Sequence, residues 1–349
     1  MISVKLVAIA KDEAPYLPTW IFHHFYIGIG AIDIYLNGIE DNSYEIVRKI
    51  AKRDRRLRIF NADNLLELSM ESGRQFQQEV YNFALKTERS SCQNTHMLFL
   101  DIDEYLMPFD FNQKINKLLS KEKLADVISF LWYSDVPSSN RQSFEPLIQQ
   151  SIKMQKMSPV KSMCRLNGKA MRAKIHRFGF GKHNHKENSV QHILSNGSPA
   201  AMSSIRPNQI SIEENSKKKS DVEPWFIYHQ MFRSHNEYCS SLMRGRASRG
   251  VNEPIKNNRR GYCIHTDQIE GGLYIGETFD YKISLWRVYM YNLQFRLFTK
   301  RTGISSLVEE GKKINFRRFK KLRKLVKANP SLCFEYSDQL RGTIFQTKT

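Results

Sequence analysis

His96-Met-Leu-Phe-Leu-Asp-Ile-Asp-Glu-Tyr-Leu106 is an apolar run that ends in three carboxylates within four residues. Residues 97–100 have the composition of a buried strand. Asp101, Asp103 and Glu104 at its end repel one another, and each loses hydration beside a sheet. A divalent cation is the simplest compensation. Alternation along a strand turns Asp101 and Asp103 to one side, within reach of one ion. Hard carboxylate oxygens, with no cysteine in the motif, suit Mg2+ or Mn2+ better than zinc. Such ions bring phosphates with them, so the segment reads as the seat of a metal-bound phosphorylated donor. Acidic residues after a strand also serve as solvated loops or helix caps. The strands upstream of this one favour the metal.

Working outward, residues 4–10, 31–37, 57–61 and 127–133 read as further strands. Residues 16–28, 43–52 and 72–86 have helical periodicity, with Pro15, Ser43 and Ser72 as their openers. The 97–103 segment is taken as a strand throughout. Strands alternating with helices predict an α/β fold, a Rossmann-like, mostly parallel sheet with helices on both faces. Ligands of such sheets bind beyond the carboxyl ends of the strands. That rule gathers Lys11-Asp12-Glu13, Asn37-Gly38 with Glu40-Asp41, Asp63-Asn64 and the Asp101 cluster on one rim. Neither GxGxxG nor GxxxxGKS is present.

The chain has 349 residues, 41% hydrophobic and 11% aromatic, enough for a large core in one domain or two. Five scattered cysteines form no CxxC pair, which predicts neither a disulfide framework nor a zinc site and fits a reducing cytosol. No signal-peptide pattern opens the sequence, and no apolar stretch reaches the ~18 residues of a spanning helix. The formal charge of +19 calls for a polyanionic partner. Nine basic residues crowd positions 312–327 without an acid among them, and Phe316, Phe319, Leu322, Leu325 and Val326 recur at steps of three and four. This amphipathic helix either lies on an anionic membrane surface or packs its apolar stripe on the protein. Nucleic acid ranks behind both, for want of a binding motif.

Several motifs together resemble a nucleotide-sugar glycosyltransferase of the GT-A fold, in the family-2-like group allied to glycosyltransferase family 92. That group opens with Lys-Asn-Glu-x-x-Tyr-Leu-x-Glu-Trp, and here Lys11-Asp-Glu-Ala-Pro-Tyr-Leu-Pro-Thr-Trp20 is similar to it, with His23, His24 and Gly28 following. The strand motif stands at residues 100–105. A Gln-rich helix before it appears as Gln75, Gln78 and Tyr81. Lys161-Ser-Met-Cys-Arg165 with His176, and His229 to Ser234 with Glu237-Tyr238 and Arg244-Gly245, match later blocks. Departures are Asp12 for Asn, Thr19 for Glu and Gln230 for Tyr. Residues 37–41 lack the Ser of the usual turn, and Ser134-Asp135-Val136 replaces a Phe-Gly type.

The resemblance implies metal-dependent transfer of a sugar from a nucleoside-diphosphate sugar, a UDP-sugar foremost, to a hydroxyl of a glycan or glycolipid acceptor, with inversion. It implies Mn2+ or Mg2+ on Asp101 and Asp103, phosphate contacts from Lys161, Arg165, His229 and Arg233, and nucleoside contacts from Lys11, Asp12, Glu13, Asn37, Asp41 and Gln75. Asp135 is the first candidate for general base, with Glu145 and Glu187 behind it. Glu104 and His176 join the catalytic set, His176 as a further metal or phosphate ligand. His183, His185 and His192 read as a solvated loop, Trp132 and Tyr133 as core, and His24 equally as core or as a site residue. Residues 1–250 are expected to form the catalytic domain and residues 251–349 a mainly helical, basic extension. The expected setting is the inner face of the cytoplasmic membrane, building lipopolysaccharide or another surface glycan. Two rivals are a haloacid-dehalogenase-like phosphohydrolase with Asp101 as nucleophile and a non-enzymatic basic adaptor for membrane or RNA. The first expects the motif on the first strand, and the second leaves the carboxylates unexplained.

Overall fold

A computed structural model of the chain describes residues 2–180, 190–202, 208–209, 223–245, 253–263 and 274–346. The first half alternates as its sequence predicts: β1 (Val4–Ala10), α1 (Leu17–Tyr26), β2 (Ala31–Leu36), α2 (Ser43–Arg53), β3 (Leu57–Asn61), α3 (Asp63–Glu71), α4 (Phe76–Ser91) and β4 (His96–Phe99). There follow β5 (Glu104–Pro108), α5 (Ile115–Lys121), β6 (Val127–Asp135), β7 (Ser151–Arg165), the small pair β8 (Ala170–Ala173) and β9 (Phe178–Phe180), β10 (His192–Leu194) and β11 (Trp225–His229). The remainder is α6 (His235–Leu242), β12 (Tyr274–Lys282), α7 (Leu285–Thr302), α8 (Ser305–Ala328) and the single turns α9 (Leu332–Glu335) and α10 (Ser337–Leu340).

The protein is α/β with one open, mixed sheet in the order β3-β2-β1-β4-β7-β6-β11-β5. Its first four strands are parallel. From β4 onward the long β7 runs antiparallel to both β4 and β6, and β11 is antiparallel to β5. The expected mostly parallel sheet is therefore only half of it. Period-2 alternation sets the layers. Leu6, Ala8, Ile32, Ile34 and Leu98 pack with α1, α2 and α7 on one face. Val7, Tyr35, Met97 and Phe99 pack with α4 on the other.

Three local expectations change. The helix expected over 72–86 is two helices: Gly73, at φ 65°, takes the left-handed turn that ends α3, and Ser72 closes that helix instead of opening the next. Ser43 is the first residue of α2, its backbone N–H bonded to the Asp41 carboxylate 2.8 Å away. The strand expected over 97–103 stops at Phe99, and residues 101–103 are a turn. The Glu104 carboxylate takes the N–H of Asp101 at 2.9 Å, and the Trp20 indole N–H is shared by the carbonyls of Asp101 and Glu104 at 3.0 and 2.9 Å. Side chains thus take the polar groups that a sheet ladder would use.

The basic helix α8 is packed onto the protein. Leu322 and Val326 join Phe232, Tyr238 and Leu242 in an apolar cluster with Phe319 and Leu325 at its edge, while Phe316 of the same stripe stays 42% exposed. Further along, a Cβ at Gly311 would lie 2.8 Å from that of Ala14, and Asn315 donates to the Tyr16 hydroxyl at 3.1 Å. The helix thereby lies on the β1–α1 turn. Among the described residues no helix is long and apolar enough to cross a membrane.

Candidate functional site

The carboxyl ends of β1, β2 and β4 form one rim. The loop after β1 is held in a turn that begins with Asp12 at φ 54°. Buried Asp12 accepts the N–H groups of Glu40 and Asp41 on one oxygen and meets Arg318 of α8 at 2.8 Å with the other. Asp41 returns the link, accepting the N–H of Ala14 at 3.1 Å; burial raises its carboxyl above the usual range. Glu13 is buried against Arg244, with Arg233 at 3.7 Å. Asn37, 1% exposed at the end of β2, has no hydrogen-bond partner for either side-chain amide atom among the described residues. Lys11 reaches over Gly38 beside it.

The Asp101–Glu104 turn divides its carboxylates. Glu104 is wholly buried, 3.1 Å from Lys161, which is itself fully buried. Burial pushes the Glu104 carboxyl up to about 7, while the Lys161 charge pulls it back. Asp101 meets the same Lys161 at 3.1 Å and the Gln77 amide at 3.0 Å, yet its side chain stays 40% exposed. Asp103 lies 3.6 Å from His229 and 3.4 Å from Arg259. Burial alone would raise Asp103, but the charges of His229, Arg259 and Arg233 outweigh it and hold it well below the usual carboxylate range. His229 is raised correspondingly, burial being outweighed by Asp103. The Trp132 ring packs against His229 at 4.3 Å and His176 at 5.2 Å. Burial, and then the charge of Lys161, lowers His176 to about 3, so its ring is neutral; its Nδ1 lies 3.2 Å from the Val160 carbonyl.

Asp101, Lys161 and His176, Asp103 and His229, and Arg233 and Glu13 are thus linked by charge contacts near the carboxyl end of β4, with Asp12 and Asn37 at the neighbouring ends of β1 and β2. Other candidates stand elsewhere. Arg165 pairs with Asp126 at 2.9 Å and lies opposite His96, at the amino end of β4, because β7 runs antiparallel. Gln75 is exposed at the start of α4 and bonds Gln78; Gln77 is the residue that touches Asp101. Asp135 is not free to act as a base. It is 1% exposed, accepts the N–H groups of Phe232 and Arg233 at 3.0 and 2.7 Å, and pairs with Arg141 at 2.6 Å. Its task is to hold the loop that presents Arg233. Glu104 is likewise sealed from any acceptor. His192 bonds Ser129 at 2.7 Å within the sheet, while His183, His185 and Glu187 lie outside the described residues.

Three cations emerge that motif reading did not single out for the site: Arg244, Arg259 and Arg318. Burial and the charges of Arg259 and Arg318 lower Arg244 to about 9, a measure of how tightly positive charge is gathered here. Spacing alone could not bring them to the rim, since they follow Asp103 by more than a hundred residues. Among the described residues no three His, Cys, Asp or Glu side chains form a ready cage for a metal. Asp101 and Asp103 offer hard carboxylate oxygens of the kind Mg2+ or Mn2+ takes together with phosphate and water, and each is held here by its neighbours, Lys161 and Gln77 for Asp101, His229 and Arg259 for Asp103. Comparison with known proteins finds no matching family model and no matching curated protein.

Proposed function

We propose that this chain is a metal-dependent glycosyltransferase of the GT-A fold that moves a sugar from a nucleoside-diphosphate sugar, a UDP-sugar foremost, to a hydroxyl of a glycan or glycolipid. One observation carries the reading. Asp101 and Asp103 sit in a turn beyond the carboxyl end of a strand parallel to β1, with Lys161 and Arg259 against them and Arg233 and Arg244 on the neighbouring Glu13. Acid for a cation and base for phosphates at one rim match a metal diphosphate better than either charge alone.

A bound ion supplies Lewis-acid stabilisation of the departing diphosphate. Lys161 fixes Asp101 and Glu104 in register for it. Arg233 and Arg259 offer fixed positive charge that costs no reorganisation when the leaving group separates. The unpartnered amide of Asn37 is suited to the nucleoside, with Asp12, Glu13 and Asp41 holding the loop around it. With Asp135 committed to its loop, Glu145, 27% exposed on the far side of Arg233, takes the part of general base.

Calorimetry with UDP, GDP, CMP and ADP, in Mn2+ or in EDTA, tests this. One nucleotide is expected to bind only with metal, and Asp101→Asn with Asp103→Asn is expected to abolish that binding. No binding of any nucleotide overturns the proposal. The same reading puts the protein at the inner face of the cytoplasmic membrane. Exposed Leu285, Trp286 and Tyr289 on α7 give it apolar side chains for lipid.

A further inference from the structure

On the other side of Arg233 from the carboxylate turn lies a cavity of about 300 Å³. It opens between the β1–α1 turn, the loop at 141–147 and helices α7 and α8. Tyr16, Phe144 and Phe295 line it, and Arg141, Arg233, Arg296 and Lys312 bring four cations, of which Arg141 is paired with Asp135 at 2.6 Å. Arg233 is stacked on Tyr16, its guanidinium carbon 3.4 Å from the ring centre. Its Nε and Nη2 are buried and have no hydrogen-bond partner among the described residues. Arg296 carries no ion pair among the described residues, and Lys312 has only the exposed Glu309, 2.7 Å away on its own helix.

Arg233 has Glu13 3.7 Å from its Nη1, and the acids that line the cavity are engaged elsewhere, which leaves Arg296 and Lys312 facing it without, among the described residues, a carboxylate from another element. The Glu237 carboxylate is committed to the cap of α6, taking the backbone N–H of Ser234 at 3.1 Å. Glu145 accepts the N–H of Gln142 and the amide of Gln149. Buried guanidinium N–H groups without acceptors are costly unless an anion completes them. Aromatic side chains beside them suit the C–H face of a ring.

We propose that this cavity binds a sugar ring bearing one anionic substituent, a carboxylate or a phosphate, and that Arg233 forms the wall between this ligand and the carboxylate turn. The anion follows from the cavity itself; that the ring is a sugar, and the acceptor, rests on the transferase reading.

The test is calorimetry on the full chain, without nucleotide or metal, using glucuronic acid, glucose 6-phosphate, glucose and inorganic phosphate. Both anionic sugars are expected to bind at least about 10-fold more tightly than glucose, the worth of one charge-assisted hydrogen bond. Arg296→Gln with Lys312→Gln, two surface changes checked for folding by circular dichroism, is expected to remove that preference. Equal binding of glucose, or a preference untouched in the double variant, overturns the anion site. Phosphate binding as tightly as glucose 6-phosphate overturns the ring. Anionic-sugar binding that survives while every nucleotide titration fails would sink the transferase reading alone, and the reverse pattern would sink the cavity alone.

Discussion

The indole N–H of Trp20 lies 2.9 Å from the carbonyl oxygen of Glu104, tying the first helix to the turn that carries the carboxylates. The same hydrogen reaches the Asp101 carbonyl at 3.0 Å. Trp20→Phe keeps most of the buried ring and removes the donor. Leaving those carbonyls unmet is expected to cost about 1–3 kcal/mol in urea unfolding, and to weaken Mn2+-dependent nucleotide binding. Unchanged stability would show that the turn does not depend on this tie.

Lys161 lies between two carboxylates of the turn, 3.1 Å from each. Lys161→Met removes the charge that holds Glu104 down, so its carboxyl takes up a proton near neutral pH, and the lost pairing is expected to destabilise by about 1–3 kcal/mol, more as pH rises above 7. Adding Glu104→Gln should recover much of that loss, because no buried carboxyl is then left to ionise. Chemical denaturation of the two single variants and the double variant measures the coupling, and strictly additive effects would refute it.

His23 and His24 predict an acid-sensitive core. Leu106 donates its N–H to His24 Nε2 at 3.3 Å, and His23 Nε2 lies 2.9 Å from the Leu106 carbonyl. Burial lowers His23 to about 4 and His24 well below its ordinary value. Both are neutral when folded, whereas the unfolded chain takes up protons near pH 6.5. Stability is therefore full above about pH 6.5 and falls as pH drops from there through about 4, by about 1.4 kcal/mol per pH unit for each proton. Thermal melts from pH 8 to 4 check this, and His24→Gln should flatten the decline; an equally steep curve in that variant would count against it.

Membrane attachment through α7 predicts that Trp286→Ser with Tyr289→Ser abolishes flotation with anionic liposomes. Both side chains are more than half exposed, so folding should be unaffected. Charge-only attachment through α8 would instead leave flotation intact and sensitive to salt.

Much of the first 135 residues was legible because short apolar runs bounded by polar turns have few other ways to fold. The rim of polar clusters followed from strand direction alone. The turn at 101–103 was not legible, since the competing hydrogen bonds come from Trp20 and from the Glu104 side chain. Arg165 was misplaced for a different reason: local pattern does not reveal that β7 runs against its neighbours, and reversing a strand moves its end to the opposite rim. Gln77 escapes a reading that names Gln75 and Gln78, because one residue along a helix, from Gln78 to Gln77, is a rotation of about 100°. Arg259 and Arg318 reach the rim only through the path of the distant chain.

The salt bridge between Asp12 and Arg318 joins positions 306 residues apart. A ribosome making this chain delivers the β1–α1 turn early and its brace near the end. Until α8 emerges, Asp12 keeps its hydrogen bonds to Glu40 and Asp41 but lacks the Arg318 charge, and Gly311 cannot close on Ala14. The rim therefore matures late in synthesis, and shortening the chain before residue 318 would disable a loop at its opposite end.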